Sequence, residues 1–225
     1  MRLAVLPRFI DLNTPNTPST KKLYANQDFE MMANEFGVGI VTIVSQYGLD
    51  DICSFCDGLI IPGSSTGVNP KYYGGTPLAN PQVFDEYALD SKLIDLFVKG
   101  DKPILGICAG HQALNIYFGG TIGYVTTDGT KPHSSGDHPV DIVPGSFVYD
   151  AFKTQKGTIN SYHIMHTDKI GKDLEVVARS HDGIVEAFKH KTKNIFGVQW
   201  HPERDFTQKP ENKELLKNFI ECCKK

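Results

Sequence analysis

The stretch Lys102-Pro-Ile-Leu-Gly-Ile-Cys108-Ala-Gly-His-Gln-Ala-Leu-Asn-Ile-Tyr-Phe118 decides the fold. Lys102–Ile107 is short, apolar and reads as a buried strand, and Ala109–Phe118 reads as the helix that follows it. Between them Gly106 and Gly110 flank Cys108. A sharp strand-to-helix turn needs small neighbours, and it projects the residue at its apex above the carboxyl edge of a sheet. The free N–H groups and dipole at the start of the helix then favour a thiolate at Cys108. The backbone N–H of Ala109 stands where a developing oxyanion could be met. A buried structural cysteine at a tight turn gives the same short pattern, so these residues alone leave both readings open.

Outward from this turn the chain alternates. Leu3–Leu6, Val38–Val44 and Gly58–Pro62 are short strand-like runs. Thr20–Phe36 reads as a helix stopped by Gly37, and Phe84, Tyr87, Ala88, Ile94, Phe97 and Val98 keep helical spacing up to Gly100. Strands alternating with helices indicate βαβ units and a parallel sheet. After Phe118 the pattern changes to short strand-like runs at Val140–Val143, Thr158–His163, Leu174–Arg179, Gly183–Phe188 and Ile195–Trp200. These predict an antiparallel or mixed portion beside the parallel one. Lys213–Cys223 reads as a closing helix. With no repeat, low-complexity tract or linker, residues 1–225 read as a single α/β domain. The segment Gly63–Pro81 is rich in Gly, Ser, Pro and Tyr, and loops of that length inside a domain are usually functional or disordered.

Composition narrows the partners. Lysine plus arginine is 23 against 26 acids in 225 residues, with no block of like charge, which argues against nucleic acid or an anionic membrane surface. No apolar run approaches the ~20 residues of a membrane span. Met1–Ile10 breaks at Pro7-Arg8, short of a secretory signal core. Five cysteines, an odd number, do not suit a disulfide framework and place the expected location in a reducing cytoplasm.

A second motif, Val198-Gln-Trp-His201-Pro-Glu203, ends an apolar strand. Side chains at i and i+2 share a strand face, so Glu203 is expected to orient the His201 imidazole there. A thiol nucleophile needs such a base, and the base an orienter. In an open α/β sheet the strand ends gather at one edge, where ligands bind. Ile61-Pro-Gly63 is a third strand end, and the Gly63 N–H could complete an oxyanion hole with Ala109. Cys53-Ser-Phe-Cys56 lacks two further ligands at zinc spacing, and adjacent Cys222 and Cys223 are poor tetrahedral partners. His133, Asp137 and His138, or His163 and His166, could bind a metal, but His133 and His138 are expected in an exposed turn, so no metal or cofactor is assigned. Tyr73, beside Tyr72, is expected to line a pocket.

Gly106-Ile-Cys-Ala-Gly-His-Gln-Ala-Leu-Asn-Ile-Tyr-Phe-Gly-Gly120 followed far downstream by Gly197-Val-Gln-Trp-His-Pro-Glu203 resembles the class I glutamine amidotransferase superfamily. Thr66–Gly74, Asn160-Ser-Tyr-His163 and Ser180–Ala187 resemble its γ-glutamyl-γ-aminobutyrate hydrolase-like branch. The resemblance covers about Leu3 to Glu203. It implies a three-layer α/β sandwich around a mostly parallel sheet. It implies Cys108 as nucleophile, His201 as base, Glu203 as orienter, and Gly63 and Ala109 as oxyanion donors. Gln112 and the Ser161-Tyr162 backbone would hold the glutamyl main-chain groups, with His163 bordering the pocket. The chain departs from the branch at Ala109, where arginine is usual, at Gly67, where aspartate is usual, and at Ile164-Met165, where His-Gln is usual.

Three functions fit. The first is a stand-alone hydrolase of γ-glutamyl amides acting on a small-molecule substrate through a glutamyl thioester. The second is a glutaminase subunit that passes ammonia to a synthetase partner. The third is a non-enzymatic thiol sensor, which the presence of all three triad residues counts against. The long Gly63–Pro81 loop suits a leaving amine larger than ammonia and favours the first. A homodimer or a separate synthetase partner is compatible with the sequence.

Overall fold

The computed structural model describes residues 1–12, 20–74, 85–125 and 133–224. In chain order its elements are β1 (Arg2–Val5), β2 (Arg8–Leu12), β3 (Thr20–Tyr24), α1 (Gln27–Phe36), β4 (Gly39–Thr42), α2 (Leu49–Phe55) and β5 (Gly58–Ile61). There follow α3 (Glu86–Lys99), β6 (Ile104–Ile107), α4 (Ala109–Tyr117), β7 (Thr121–Tyr124), β8 (Asp137–Ile142), α5 (Phe147–Phe152), β9 (Lys156–Asn160) and β10 (Met165–Lys169). The chain closes with β11 (Leu174–Ser180), β12 (Val185–His190), β13 (Ile195–Val198), α6 (Pro202–Asp205) and α7 (Pro210–Cys222).

The main sheet runs β4-β1-β5-β6-β13-β12-β11-β8-β9, with β10 pairing β12 and β7 at its side. Every pairing from β4 to β13 is parallel, and every pairing beyond β13 is antiparallel. The expected parallel block with an antiparallel continuation is therefore present. The short strands of the parallel block are largely apolar because both faces are covered. Leu3, Val5, Ile60, Leu105 and Ile107 turn to one core layer with Phe29 and Met32 of α1, Val148 of α5 and Leu216 of α7. Ala4, Leu59, Ile61 and Ile104 turn to the other, with Cys53 of α2, Leu93 and Phe97 of α3 and Leu114 of α4. The period-2 alternation thus sorts one strand's residues into two helical layers, the sandwich that the family resemblance implied.

Local readings needed several corrections, among them the strand-like run Thr158–His163, whose strand ends at Asn160. Thr20–Phe36 is not one helix: α1 begins at Gln27, and Thr20–Tyr24 pairs antiparallel with Arg8–Leu12 as a separate hairpin. That pairing is a contact with another segment, so local periodicity could not reveal it. The strand ending in the His201 motif stops at Val198, not Trp200. Elements not anticipated are β2, α2, β7, α5, β10 and α6. Phe84, Pro15, Pro18 and the part of the Gly63–Pro81 loop beyond Gly74 lie outside the described residues.

Candidate active site

Cys108 sits between β6 and α4 with φ 52° and ψ −104°, a conformation that L-residues adopt only under constraint. Its N–H donates to the Val198 carbonyl at 2.8 Å, tying the turn to β13. The flanking glycines are required by space. A Cβ at Gly106 would stand 2.5 Å from the Gly110 carbonyl oxygen, and Gly110 itself lies against the backbone of Ile61. The strand, the turn and α4 can close on β5 only without side chains at these positions. Gly110 and the rest of α4's first two turns are buried, so Cys108 is presented from a rigid support.

His201 reaches Cys108 by a route other than the one its strand-like setting suggests. Pro202 cannot donate to a β ladder, and its fixed φ suits the first turn of a helix. The backbone therefore leaves β13 and enters α6, with His201 at its N-cap position and Glu203 inside it. The pair still meets: His201 Nδ1 lies 2.7 Å from Glu203 Oε1, both side chains being buried. The i, i+2 strand-face reading of this contact is corrected, because the geometry comes from a helix start. With Nδ1 engaged by the carboxylate, the other ring nitrogen is the one left available to Cys108. Burial alone would push His201 down, but the Glu203 charge and the Cys108 contact outweigh it and raise the pKa to about 9.

Gly63 closes the arrangement from β5. A Cβ there would meet His201 Cε1 at 2.5 Å and Cys108 Cβ at 3.3 Å, so only glycine lets this loop touch both side chains. The preceding carbonyl, Pro62 O, accepts from Arg8 Nε at 3.1 Å and Nη2 at 2.7 Å. Arg8 is buried, and its Nη1 bonds both Asp90 oxygens at 2.9 and 3.1 Å. This fork fixes the peptide before Gly63 to α3, a role that its sequence setting after Pro7 did not reveal.

Above Cys108 opens a cavity of about 400 Å³. Of the residues expected at the substrate, Tyr73, Ala109, Gln112, Tyr162 and His163 line it with Cys108. So do Ser64–Val68, the start of the long loop, and Ile164 and Met165. Gln112 gives its amide N–H groups to Met165 O at 2.9 Å and Gln199 Oε1 at 3.2 Å. Ser161 lies behind the wall: its N–H donates to Gly136 O and its hydroxyl to His133 O.

A family model described as Peptidase C26 matches residues 4–203. The chain belongs to the Peptidase C26 family. It is 27% identical to the glutamine amidotransferase-like protein YvdE of Lactococcus lactis over 88% of this chain and 89% of that one. It is 35% identical to a glutamine-hydrolyzing GMP synthase component of Methanocaldococcus jannaschii over 58% of this chain and 65% of that one. Its fold is that of a Thermotoga maritima glutamine amidotransferase (TM-score 0.64, 14% identity, covering 99% of this chain and 95% of that one). This Peptidase C26 member is thus a class I glutamine amidotransferase-like α/β protein.

Two further residues of the Peptidase C26 site escaped sequence reasoning in their roles. Asn160 belongs to the Asn-Ser-Tyr-His element, yet its side chain faces His201, accepting from its N–H and donating to its carbonyl, each at 2.8 Å. Tyr162 packs edge-on to the His201 ring at 5.9 Å, and its own ring carries the Arg204 guanidinium at 4.9 Å. The remaining histidines correct an expectation. His133 is not in an exposed turn but 5% exposed, and His138 lies in β8. Cys53 and Cys56 are buried in the α2–α3 layer, and burial pushes both thiols up. No helix among the described residues is long and apolar enough to cross a membrane.

Proposed function

We propose that this protein is a cysteine-dependent hydrolase of γ-glutamyl amides. The observation that carries the reading is the convergence of Cys108, His201, Glu203 and Gly63 beneath one cavity. Cys108 gives its proton to His201 and its sulfur attacks the γ-carbonyl carbon. The oxygen then bears the negative charge, opposite the N–H groups of Ala109, at the start of α4, and Gly63. Collapse expels the amine, which takes the proton from His201 and leaves a glutamyl thioester. Water, deprotonated by His201, attacks the thioester; glutamate leaves and the thiol regains its proton. Glu203 holds the imidazole in the tautomer that both steps need and stabilises its charged form.

The cavity supports a leaving group beyond ammonia. Ile164 stands exposed at the rim and Met165 beside it, both apolar, and the described part of the long loop forms the facing wall. The charged glutamyl end needs polar partners if it is to be buried, and the Gln112 and Tyr162 region is the candidate for them.

A second reading is a glutaminase chain supplying ammonia to a synthetase. It is favoured by the similarity to the Methanocaldococcus jannaschii component of GMP synthase. It is favoured too by 30% identity, over 63% of this chain and 67% of that one, to anthranilate synthase component 2 of Methanothermobacter marburgensis. Glutamate release by the purified chain from glutamine and from a panel of γ-glutamyl amines separates the two. A higher kcat/KM for amines with apolar bodies supports the hydrolase. Glutamine as best substrate, with strong activation by a synthetase chain, replaces it by the ammonia supplier.

A further inference from the structure

Behind the pocket wall, His133, His138, His163 and Glu186 converge from three segments: the turn into β8 with β8 itself, the stretch after β9, and β12. One ligand atom from each lies within 4.8 Å of all the others. Glu186, in β12, is wholly buried, and the side chains of His133 and His163 are 5% and 2% exposed. His133 Nδ1, His138 Nε2 and His163 Nε2 lie 3.3, 3.4 and 3.8 Å from the same oxygen, Glu186 Oε1. Yet none of these nitrogens, and neither Glu186 oxygen, has a well-formed hydrogen bond among the described residues. Buried polar atoms without partners are rare and costly, and here five are gathered in one place.

The outer nitrogens explain the inner ones. His133 Nε2 lies 2.9 Å from Asp182 Oδ2, and Asp182 is itself bonded by Ser180. His163 Nδ1 lies 2.9 Å from the Met165 carbonyl and His138 Nδ1 3.2 Å from the Pro139 carbonyl. A carboxylate or carbonyl can only accept, so each outer nitrogen carries the proton. Each inner nitrogen of a neutral ring then presents a lone pair to a carboxylate, a repulsion that a second proton relieves ring by ring and that a single cation between them relieves for all three at once. This is how metal-bound histidines are oriented, with the far N–H given to a carboxylate or backbone oxygen.

We propose that His133, His138, His163 and Glu186 form a binding site for a zinc-class divalent cation. Three imidazole nitrogens and one carboxylate oxygen are a zinc-type donor set. Metal–ligand bonds of about 2.0–2.1 Å put tetrahedral ligands ~3.3 Å apart, the separation already seen from Glu186 to two of the histidines. Sulfur is absent from the set, and Cys108 is not part of it. A neighbouring cavity of about 430 Å³, lined by His133, His138, His181 and Asp182, gives an ion a route in. The role that follows is positional. His163 lines the substrate cavity, and its N–H donates to His133 O, so the cation would clamp the 161–165 wall to β8 and β12.

The test uses Zn²⁺ and Co²⁺ alone. Protein dialysed against chelator is titrated with Co²⁺, and its spectrum and melting temperature are followed. One equivalent bound with the visible d–d bands of four-coordinate Co²⁺, no thiolate-to-metal charge-transfer band, and a Tm raised by about 5 °C or more at saturating Zn²⁺ is expected. Glu186→Gln and His138→Asn should each weaken Co²⁺ binding about 100-fold, while His181→Asn, at the exposed rim, leaves it unchanged. Because the wild-type spectrum reports the ligands directly, the result stands even if one variant folds poorly. Substoichiometric binding at 100-fold excess, a thiolate charge-transfer band, or unchanged binding in a folded Glu186→Gln protein would overturn the proposal.

Discussion

Asn160 holds His201 by its backbone, taking its N–H and giving to its carbonyl, each at 2.8 Å. The same amide nitrogen reaches Asp205 Oδ2 at 2.9 Å. β9 and α6 are thereby joined at the residue proposed as the base. The imidazole sits where a side-chain clamp on its main chain puts it. Asn160→Ala removes both bonds and leaves the His201 N–H and carbonyl buried without them. The expected result is a loss of kcat of about tenfold or more with KM little changed, since a small misplacement of a catalytic group is costly. A change confined to KM would mean that Asn160 serves the substrate wall instead.

Cys108 should be the thiol that iodoacetamide modifies first at neutral pH. Burial pushes Cys53, Cys56 and, up to about 12, Cys223 away from the reactive thiolate form, whereas Cys108 faces both the His201 ring and the cavity. Peptide mapping after brief labelling checks this, and Cys108→Ala should abolish turnover with the fold intact.

His201→Asn should lower the acylation rate by about a thousandfold or more, because nucleophile and base act as a unit. Glu203→Gln should cost less, because the amide can still contact Nδ1 while losing the charge. Single-turnover kinetics on a chromogenic γ-glutamyl anilide resolve the two. Full activity in Glu203→Gln would remove Glu203 from the mechanism.

His201 also sets a pH dependence of stability. Its folded pKa, about 9, lies above the ordinary 6.5. A raised folded value stabilises fully below 6.5, and that contribution fades as pH climbs through about 9. Denaturant unfolding between pH 6 and 9.5 should show the wild type losing more stability than His201→Asn. Parallel curves would mean that His201 does not take up a proton on folding.

Arg8→Met should be strongly destabilising, on the order of 3 kcal/mol, because it strands the buried Asp90 carboxylate and the Pro62 carbonyl. Arg8→Lys, which keeps the charge but not the fork, should fold and still lose activity through a displaced Gly63 peptide. Retained kcat in a folded Arg8→Lys protein would separate Gly63 from the chemistry.

The parallel block was legible in the chain because each strand there is short and mostly apolar, and local pattern records burial. The elbow was legible for a related reason: Gly106 and Gly110 can be nothing larger where α4 closes on β5. Cys108, His201 and Glu203 were named from spacing and from the family resemblance, and the structure brings them together. What the sequence could not determine was anything set by a partner in another segment. β3 was read as helix because its mate lies before it across residues 13–19. The Glu203 contact was assigned to a strand face, although Pro202 already signalled a helix start. Arg8 on the Pro62 carbonyl, Asn160 on the His201 backbone and three histidines around Glu186 have no local periodicity at all. Arg8 and Asn160 are buried polar groups whose partners come from other elements, satisfied only by the tertiary structure that assembles them, and the histidines are gathered around Glu186 only by that same structure.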